Sequence, residues 1–158
     1  MKHITITVFI LFFLLVSSIC VFTQGANQVQ AQGGKGSIIV EAVGFENDKG
    51  KARLLLFSDK EKKYFPSEQD SAFIRRILPI EDNKVVFQLD SLPYGDYAVS
   101  VHHDENNDGK VNSNWLGIPK EGLGASNNAK GTFGPPSFEK AKITLNKPEI
   151  SITINMVN

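Results

Sequence analysis

Short apolar runs, mostly of β-branched and aromatic residues, recur along the chain between polar stretches rich in Gly, Asn, Asp and Pro. Runs of this length and composition are typical of β-strands. The pattern predicts about seven strands, at 37–43, 51–57, 72–80, 84–89, 97–103, 141–145 and 150–157. A turn at 45–50 joins the first two strands, so we expect them to pair as a hairpin.

The strand at 72–80 is the least determined element, because Phe73 and Ile77 also have the spacing of one helical face. Pro79 would end such a helix, and the turn residues at 81–83 lead directly into the next strand, which favours a strand here. The strand count predicts an all-β fold. We expect a single antiparallel β-sandwich, prealbumin-like or immunoglobulin-like, with a long loop rich in Gly, Asn and Pro.

Alternation within the strands predicts which side chains form the core. In 97–103 the larger residues Tyr97, Val99 and Val101 alternate with Ala98 and Ser100, which indicates a strand buried on one face. We expect the following residues to be mainly buried: Ile38, Val40, Leu54, Leu56, Val86, Val99, Val101, Ile152 and Ile154.

The N-terminal end has the pattern of a secretory signal peptide. Lys2 and His3 precede an almost wholly apolar run over 4–16, and small residues suited to cleavage end at Ala31. We predict a signal peptide at 1–31, a polar linker at 32–36 and one domain at 37–158. The apolar run is shorter than the roughly 20 residues of a membrane span, so we expect no span in the mature chain. The alternatives are an uncleaved anchor and a lipoprotein attached through Cys20.

Composition narrows the classes of partner. Cys20 is the only cysteine, so the mature domain would rely on core burial or a metal rather than on disulfides. Removing Lys2 from the 17 basic residues leaves 16, against 17 acidic residues. The mature chain is therefore close to neutral and has no basic stripe, so nucleic acid is not expected as a partner.

The segment 104–136 lacks a strand pattern, and loops of this length usually have a function. Its start, Asp104-Glu-Asn-Asn-Asp-Gly-Lys110, fits the first half of a calcium-binding loop. Oxygens at alternate positions converge when such a chain curls, and Ca²⁺ takes about 6–8 oxygen ligands. The predicted ligands are Asp104, Asn106, Asp108, the main-chain carbonyl of Lys110, and Glu121.

The calcium motif is incomplete, because Trp115 occupies position twelve, where a bidentate Glu closes loops of this type. The alternative is a solvated turn rich in Asn and Asp. A zinc site at His102 and His103 is disfavoured, since neighbouring residues of a strand point to opposite faces.

Two further hypotheses concern the same segment. Trp115, Phe133 and Phe138 are expected to be buried anchors of the loop, with a shallow binding surface as the alternative. A hydrolase site in 104–136 is the second functional class, although Ser126 lacks the Gly-x-Ser-x-Gly context of a nucleophile elbow. Its candidate residues are His103, Asp104, Glu121 and Ser126.

Several segments, taken in their order along the chain, resemble the motifs of a known bacterial family. The segments are 92–98 (Leu-Pro-Tyr-Gly-Asp-Tyr-Ala), 103–109, 116–122, 126–128 and 134–138. Over roughly 37–157 the chain is similar to the family called domain of unknown function 2141. The resemblance implies an exported β-sandwich, similar to prealbumin-like domains, and implies no activity. It also implies a shared structural or binding role for Asp104, Asn106, Asp108 and Glu121.

The sequence as a whole favours an exported, non-catalytic binding or structural module of the cell envelope with a calcium-stabilised loop. The expected partner is an envelope or extracellular component, and the expected location is the periplasm or the medium. A hydrolase with its site in 104–136 is the alternative.

Overall fold

The computed structural model describes residues 33–158. Segments with period-two alternation and many β-branched residues form strands in this part of the chain. The predicted signal peptide, its cleavage site and Cys20 lie outside the described residues. The strands are β1 (Lys35–Val43), β2 (Lys51–Ser58), β3 (Ile74–Leu78), β4 (Lys84–Pro93), β5 (Gly95–Asp104), β6 (Leu123–Ala125), β7 (Ile143–Leu145) and β8 (Glu149–Asn155). Short 3₁₀ turns (Lys62–Tyr64, Gln69–Ser71, Ser126–Asn128) and a four-residue helix, α1 (Phe138–Ala141), lie between them.

The strands form two sheets. One has the order β4-β1-β8, and the other has the order β3-β2-β5-β6 with β7 paired to the first residues of β5. Every strand pair is antiparallel except β1 with β8, which is parallel. The all-β sandwich is therefore confirmed, as is the choice of a strand for the ambiguous segment that became β3. In residues 33–158, none of the helices has the length and hydropathy that crossing a bilayer requires.

The core lies where the two sheets face each other, because side chains from both join one hydrophobic cluster. Eight of the nine predicted core residues are buried or partly buried, with Ile152 in the partly buried group. The prediction for Val86 is wrong, because its side chain is 53% exposed, whereas Val85 and Phe87 are buried. Successive residues of a strand face opposite sides, so a shift of one residue moves the side chain to the other face.

The predicted hairpin of the first two strands is wrong. β1 pairs with β4 and β8, whereas β2 pairs with β3 and β5, so the turn at 45–50 carries the chain from one sheet to the other. Phe45, in this turn, is 2% exposed and packs edge-on against His103 at a ring distance of 5.3 Å. The turn therefore covers one end of the sandwich.

β5 is buried on both faces rather than on one. Tyr97, Val99 and Val101 face the main core, as predicted. The outer face is covered by a second cluster in which Ala98 and Phe57 pack with Phe138 of α1. A central strand whose two faces are both covered loses the simple exposed alternation, and this burial also encloses the polar residues at the end of β5.

The long segment 104–136 is divided by β6, which pairs with β5. The sequence did not predict this three-residue strand, nor α1, which replaces the start of the strand predicted at 141–145. Ser137 caps α1, since its side chain accepts a hydrogen bond from the Lys140 N–H. The segment thus consists of a loop at 105–122, anchored at both ends by β5 and β6, and a separate connection at 129–137.

Candidate functional site

Asp104, the last residue of β5, holds the start of the 105–122 loop. Its side chain is completely buried. Its Oδ2 accepts hydrogen bonds from Arg53 Nη1 and from the Gly109 N–H, both at 3.0 Å, and its Oδ1 accepts one from the Asp108 N–H at 3.1 Å. One carboxylate therefore ties the loop to the five-stranded sheet.

Arg53 supplies the positive charge beside this carboxylate, and no motif marks it in the sequence. It lies on β2, whose backbone pairs with β5, and its side chain is 21% exposed. Its Nη2 lies 3.4 Å from Gln69 Oε1, and Gln69 Nε2 donates to the Gly109 carbonyl. Gly109 has a φ of +77°, and an added Cβ would lie 3.1 Å from Arg53 Nη2. The left-handed backbone and the close guanidinium both favour glycine at this point of the loop.

The next residues form consecutive turns closed by their own side chains. Asn106 Oδ1 accepts from the Asp108 N–H at 3.0 Å, and Asp108 Oδ1 accepts from the Lys110 N–H at 2.8 Å. Asp108 Oδ2 accepts from the side-chain amides of Asn106 and Asn112. The Lys110 N–H, and then the Asn112 amide, hold the pKa of Asp108 below its ordinary value. These bonds are those of a turn rich in Asn and Asp.

Glu121 closes the loop from its other end and is only 7% exposed. Its Oε2 accepts from the Asn112 N–H at 2.8 Å and lies 3.0 Å from His102 Nε2, while its Oε1 accepts from the Glu105 N–H at 3.2 Å. Burial raises the pKa of Glu121, but the bonds from Asn112 and His102 outweigh it, so the pKa lies below its ordinary value. Glu121 thus holds the loop near its beginning and its middle.

The two adjacent histidines have separate partners, as the opposite faces of a strand require. His102 contacts Glu121, whereas His103 Nε2 lies 2.9 Å from the Lys49 carbonyl. The His103 ring also packs edge-on against the ring of Phe45. His103 Nδ1 is buried without a hydrogen-bond partner in residues 33–158, and it lies 3.9 Å from Glu105 Oε1. The two rings therefore do not converge on one point.

The candidate hydrolase residues are not brought together around Ser126. The Ser126 side chain is fully buried, accepts a hydrogen bond from the Val99 N–H at 2.9 Å and donates to the Ala141 carbonyl. These bonds connect β5, the turn at 126–128 and α1. Ser126 therefore supports the outer face of the sheet, and its hydroxyl is occupied by backbone groups rather than by His103.

The predicted calcium ligands are neighbours in the loop, but many of their acceptor sites are occupied. Oxygens with one accepted bond, and so with acceptor capacity left, are Asp104 Oδ1, Asn106 Oδ1, Asp108 Oδ1 and Glu121 Oε1. With the Lys110 carbonyl these make five oxygens, fewer than the roughly 6–8 that Ca²⁺ takes, and Arg53 lies against Asp104. Within 33–158, no group of three or more His, Cys, Asp or Glu side chains is assembled as a metal site.

The aromatic residues of the segment differ from expectation. Phe138 is 5% exposed and anchors α1, as predicted, but Trp115 is 89% exposed and Phe133 is completely exposed. Leu116 and Ile118, beside Trp115, are 61% and 55% exposed. The middle of the loop thus presents large apolar side chains outward, while Asp104 and Glu121 are buried at its base.

Comparisons with known proteins give one family and one solved structure. The sequence model of a bacterial family, described as "Uncharacterized protein conserved in bacteria (DUF2141)", matches residues 40–153. The search of curated proteins gives no match. A fimbrial assembly protein from Parabacteroides distasonis, known from a crystal structure, is 8% identical with a TM-score of 0.43. The alignment covers 79% of this chain and 53% of that protein, so this chain spans about half of its length.

Proposed function

We propose that this chain, which belongs to the DUF2141 family of uncharacterized bacterial proteins, is an exported, non-catalytic module of the cell envelope. We further propose that it binds a partner through the 105–122 loop. The support for export is the N-terminal pattern of charged, apolar and small residues. A mature chain that begins at Gln32, measured by mass spectrometry, is the expected result; one that begins at a lipid-modified Cys20 would contradict cleavage after Ala31.

The observation that carries the binding role is how the loop uses its polar side chains. Asp104 and Glu121 are buried and accept hydrogen bonds from the loop backbone, and the Ser126 hydroxyl bonds to backbone groups. A nucleophile or general base needs a free atom within reach of a substrate. Side chains that are buried and bonded internally instead hold the loop in one conformation, which is what a presentation surface requires.

A substrate screen tests this proposal against the hydrolase alternative. The purified mature chain is incubated with ester, peptide and glycan substrates, and we expect no turnover above the buffer rate. The matched variants are Glu121→Gln, at the buried carboxylate, and Glu149→Gln, at an exposed position of β8. Turnover by the unmodified chain that Glu121→Gln abolishes and Glu149→Gln retains would contradict the non-catalytic proposal.

We include calcium in the proposal, as an ion that stiffens the first turns of the loop. The support is the spacing of Asp104, Asn106 and Asp108, together with the acceptor capacity left on one oxygen of each. The Lys110 carbonyl and Glu121 are the remaining proposed ligands. An ion there would share Asp104 with Arg53, so we expect weak binding, at Kd values of about 10⁻⁴–10⁻³ M.

A further inference from the structure

The middle of the 105–122 loop forms a small closed turn, residues 112–120, which we call the tip. Ser113 and Pro119 form an antiparallel bridge, and the Lys120 N–H donates to the Asn112 carbonyl at 2.8 Å. The Asn114 N–H donates to the Ile118 carbonyl at 2.8 Å. The tip is therefore a hydrogen-bonded hairpin with its own backbone closure.

The side chain of Asn114 completes this closure. Its Oδ1 accepts hydrogen bonds from the N–H groups of Leu116 and Ile118, at 2.9 and 3.0 Å. Gly117 has a φ of +79°, a left-handed conformation that glycine adopts without strain. The polar side chain thus faces inward, and the backbone holds Trp115, Leu116 and Ile118 outward.

The exposure of these three side chains is unusual for their type. Single apolar residues on a protein surface are common, but three large ones within four positions form a patch. Trp115, the only tryptophan of the chain, is 89% exposed. The hydrogen bonds that hold the tip do not involve these side chains, so we infer that their role is contact with something outside the domain.

The charges between residues 109 and 120 are of one sign. Lys110 precedes the tip, Lys120 is its last residue, both are exposed, and no Asp or Glu occurs in this stretch. The exposed Asp108 lies just before it, and the buried carboxylates lie at the base of the loop, where Arg53 contacts Asp104 and His102 contacts Glu121. An apolar tip between two lysines is complementary to a surface that is anionic outside and apolar beneath.

The small size of the tip favours a lipid surface over a protein as its partner. Three side chains of this kind bury roughly 500 Å² at most, whereas a stable protein interface buries about 800 Å² on each partner. A bilayer needs no matching area, because Trp, Leu and Ile enter the headgroup boundary individually while lysines contact lipid phosphates.

We propose that the tip docks reversibly on an anionic lipid surface, with Trp115, Leu116 and Ile118 inserted among the headgroups and Lys110 and Lys120 at the phosphates. This inference rests on the proposed function, because it names the partner of the same loop.

The test uses the predicted mature chain, residues 32–158, whose core lies within the described domain. The chain is mixed with vesicles of phosphatidylcholine containing about one third phosphatidylglycerol, and with vesicles of phosphatidylcholine alone. Co-sedimentation measures binding, and Trp115 fluorescence reports insertion directly. With the anionic vesicles we expect binding, a blue shift of the emission, and quenching by lipids brominated on their acyl chains.

Variants separate the tip from the rest of the surface. Trp115→Ser and the pair Lys110→Glu with Lys120→Glu are each expected to weaken binding at least about tenfold. The matched controls are Val86→Ser, an exposed apolar position on β4, and the pair Lys35→Glu with Lys147→Glu, at the opposite end of the sandwich. These controls are expected to bind as the unmodified chain does.

Unchanged Trp115 emission with anionic vesicles would overturn the inference, and so would equal binding to both vesicle types or equal losses in the tip and control variants. A blue shift that grows with protein concentration in the absence of lipid would assign the tip to a second copy of the chain, and would overturn it too. None of these outcomes changes the result of the substrate screen, so this inference and the non-catalytic proposal fail separately.

Discussion

The base and the tip of the 105–122 loop invert the usual distribution of side chains. At the base, Asp104 and Glu121 are buried and accept hydrogen bonds from N–H groups. At the tip, Trp115, Leu116 and Ile118 are exposed. In most loops the polar side chains face water, and the apolar ones anchor the loop to the core.

The inversion follows from how the loop is anchored at its base. The loop has few apolar contacts with the core, so buried carboxylates that satisfy several N–H groups replace the anchoring that apolar side chains would provide. The apolar residues are then free to point outward. A polar base and an apolar tip should therefore respond to mutation in opposite ways, and the following predictions test that difference.

The largest effect is expected at Asp104. Asp104→Ala removes the acceptor of three hydrogen bonds and leaves the Arg53 guanidinium, 21% exposed, without its carboxylate. Breaking such a pair leaves an uncompensated charge and unsatisfied N–H groups. We expect the free energy of unfolding, measured by urea denaturation, to fall by about 2–4 kcal/mol.

The control for this prediction is Asp108→Ala, in the same turn. The Asp108 side chain is exposed and its bonds are local. We expect the loss of unfolding free energy to be clearly smaller than in Asp104→Ala. Equal losses in the two variants would show that the buried contact with Arg53 does not set the stability of the base.

The next effect is the dependence of stability on pH at Glu121. Its folded-state pKa lies below the ordinary value, so its carboxylate stabilises the fold fully above the unfolded pKa of about 4.3. This stabilisation is lost as the pH falls through the folded pKa. We expect Glu121→Gln to cost about 1–2 kcal/mol near pH 7, and the difference from the unmodified chain to shrink between about pH 5 and pH 3.

The measurement is a series of urea denaturation curves across that range of pH. Thr153→Ala, at an exposed position of β8, introduces and removes no titrating group, so its effect should not vary with pH. A cost of Glu121→Gln that stays constant down to about pH 3 would contradict the role of the ionised carboxylate.

The sequence was sufficient to predict the fold class and most strands, because period-two patterns depend only on neighbouring residues. It was insufficient for the pairing of β1, which depends on contacts with β4 and β8 at distant positions. The error at Val86 has another origin. Val86 shares its face of the strand with the polar residues Lys84 and Gln88, so the alternation in 84–89 indicates Val85 and Phe87 as the inward set, and the prediction assigned Val86 to the wrong face.

The site was predictable only in part, for a related reason. The turns at Asp104, Asn106 and Asp108 form from local side-chain bonds and were visible as a motif. Arg53 and His102, in contrast, reach the loop from strands, and a charged residue in a strand gives no indication of its partner. The exposure of Trp115 was also contrary to expectation, because apolar residues in a loop are more often buried.

Calcium is expected to have a smaller effect on the base. An ion that binds only the folded chain adds about 1.4 kcal/mol at a tenfold excess over Kd, which corresponds to a rise in melting temperature of about 3–6 °C for a domain of this size. We expect this rise at millimolar Ca²⁺, its reversal by a chelator, and its loss in Asp108→Ala, the variant that leaves the Arg53 contact intact. A melting temperature that Ca²⁺ does not change would remove calcium from the proposed function.

The smallest effect on stability is expected at the tip. Trp115 is 89% exposed, so Trp115→Ser removes little area that folding buries. We expect the free energy of unfolding to change by less than about 0.5 kcal/mol, measured by far-ultraviolet circular dichroism because the variant has no tryptophan. Phe87→Ala, at a side chain that is 1% exposed, should cost about 3–5 kcal/mol and shows what a packed aromatic contributes. A large loss in Trp115→Ser would mean that the indole anchors the loop in solution, and the contrast between a polar base and an outward apolar tip would then be wrong.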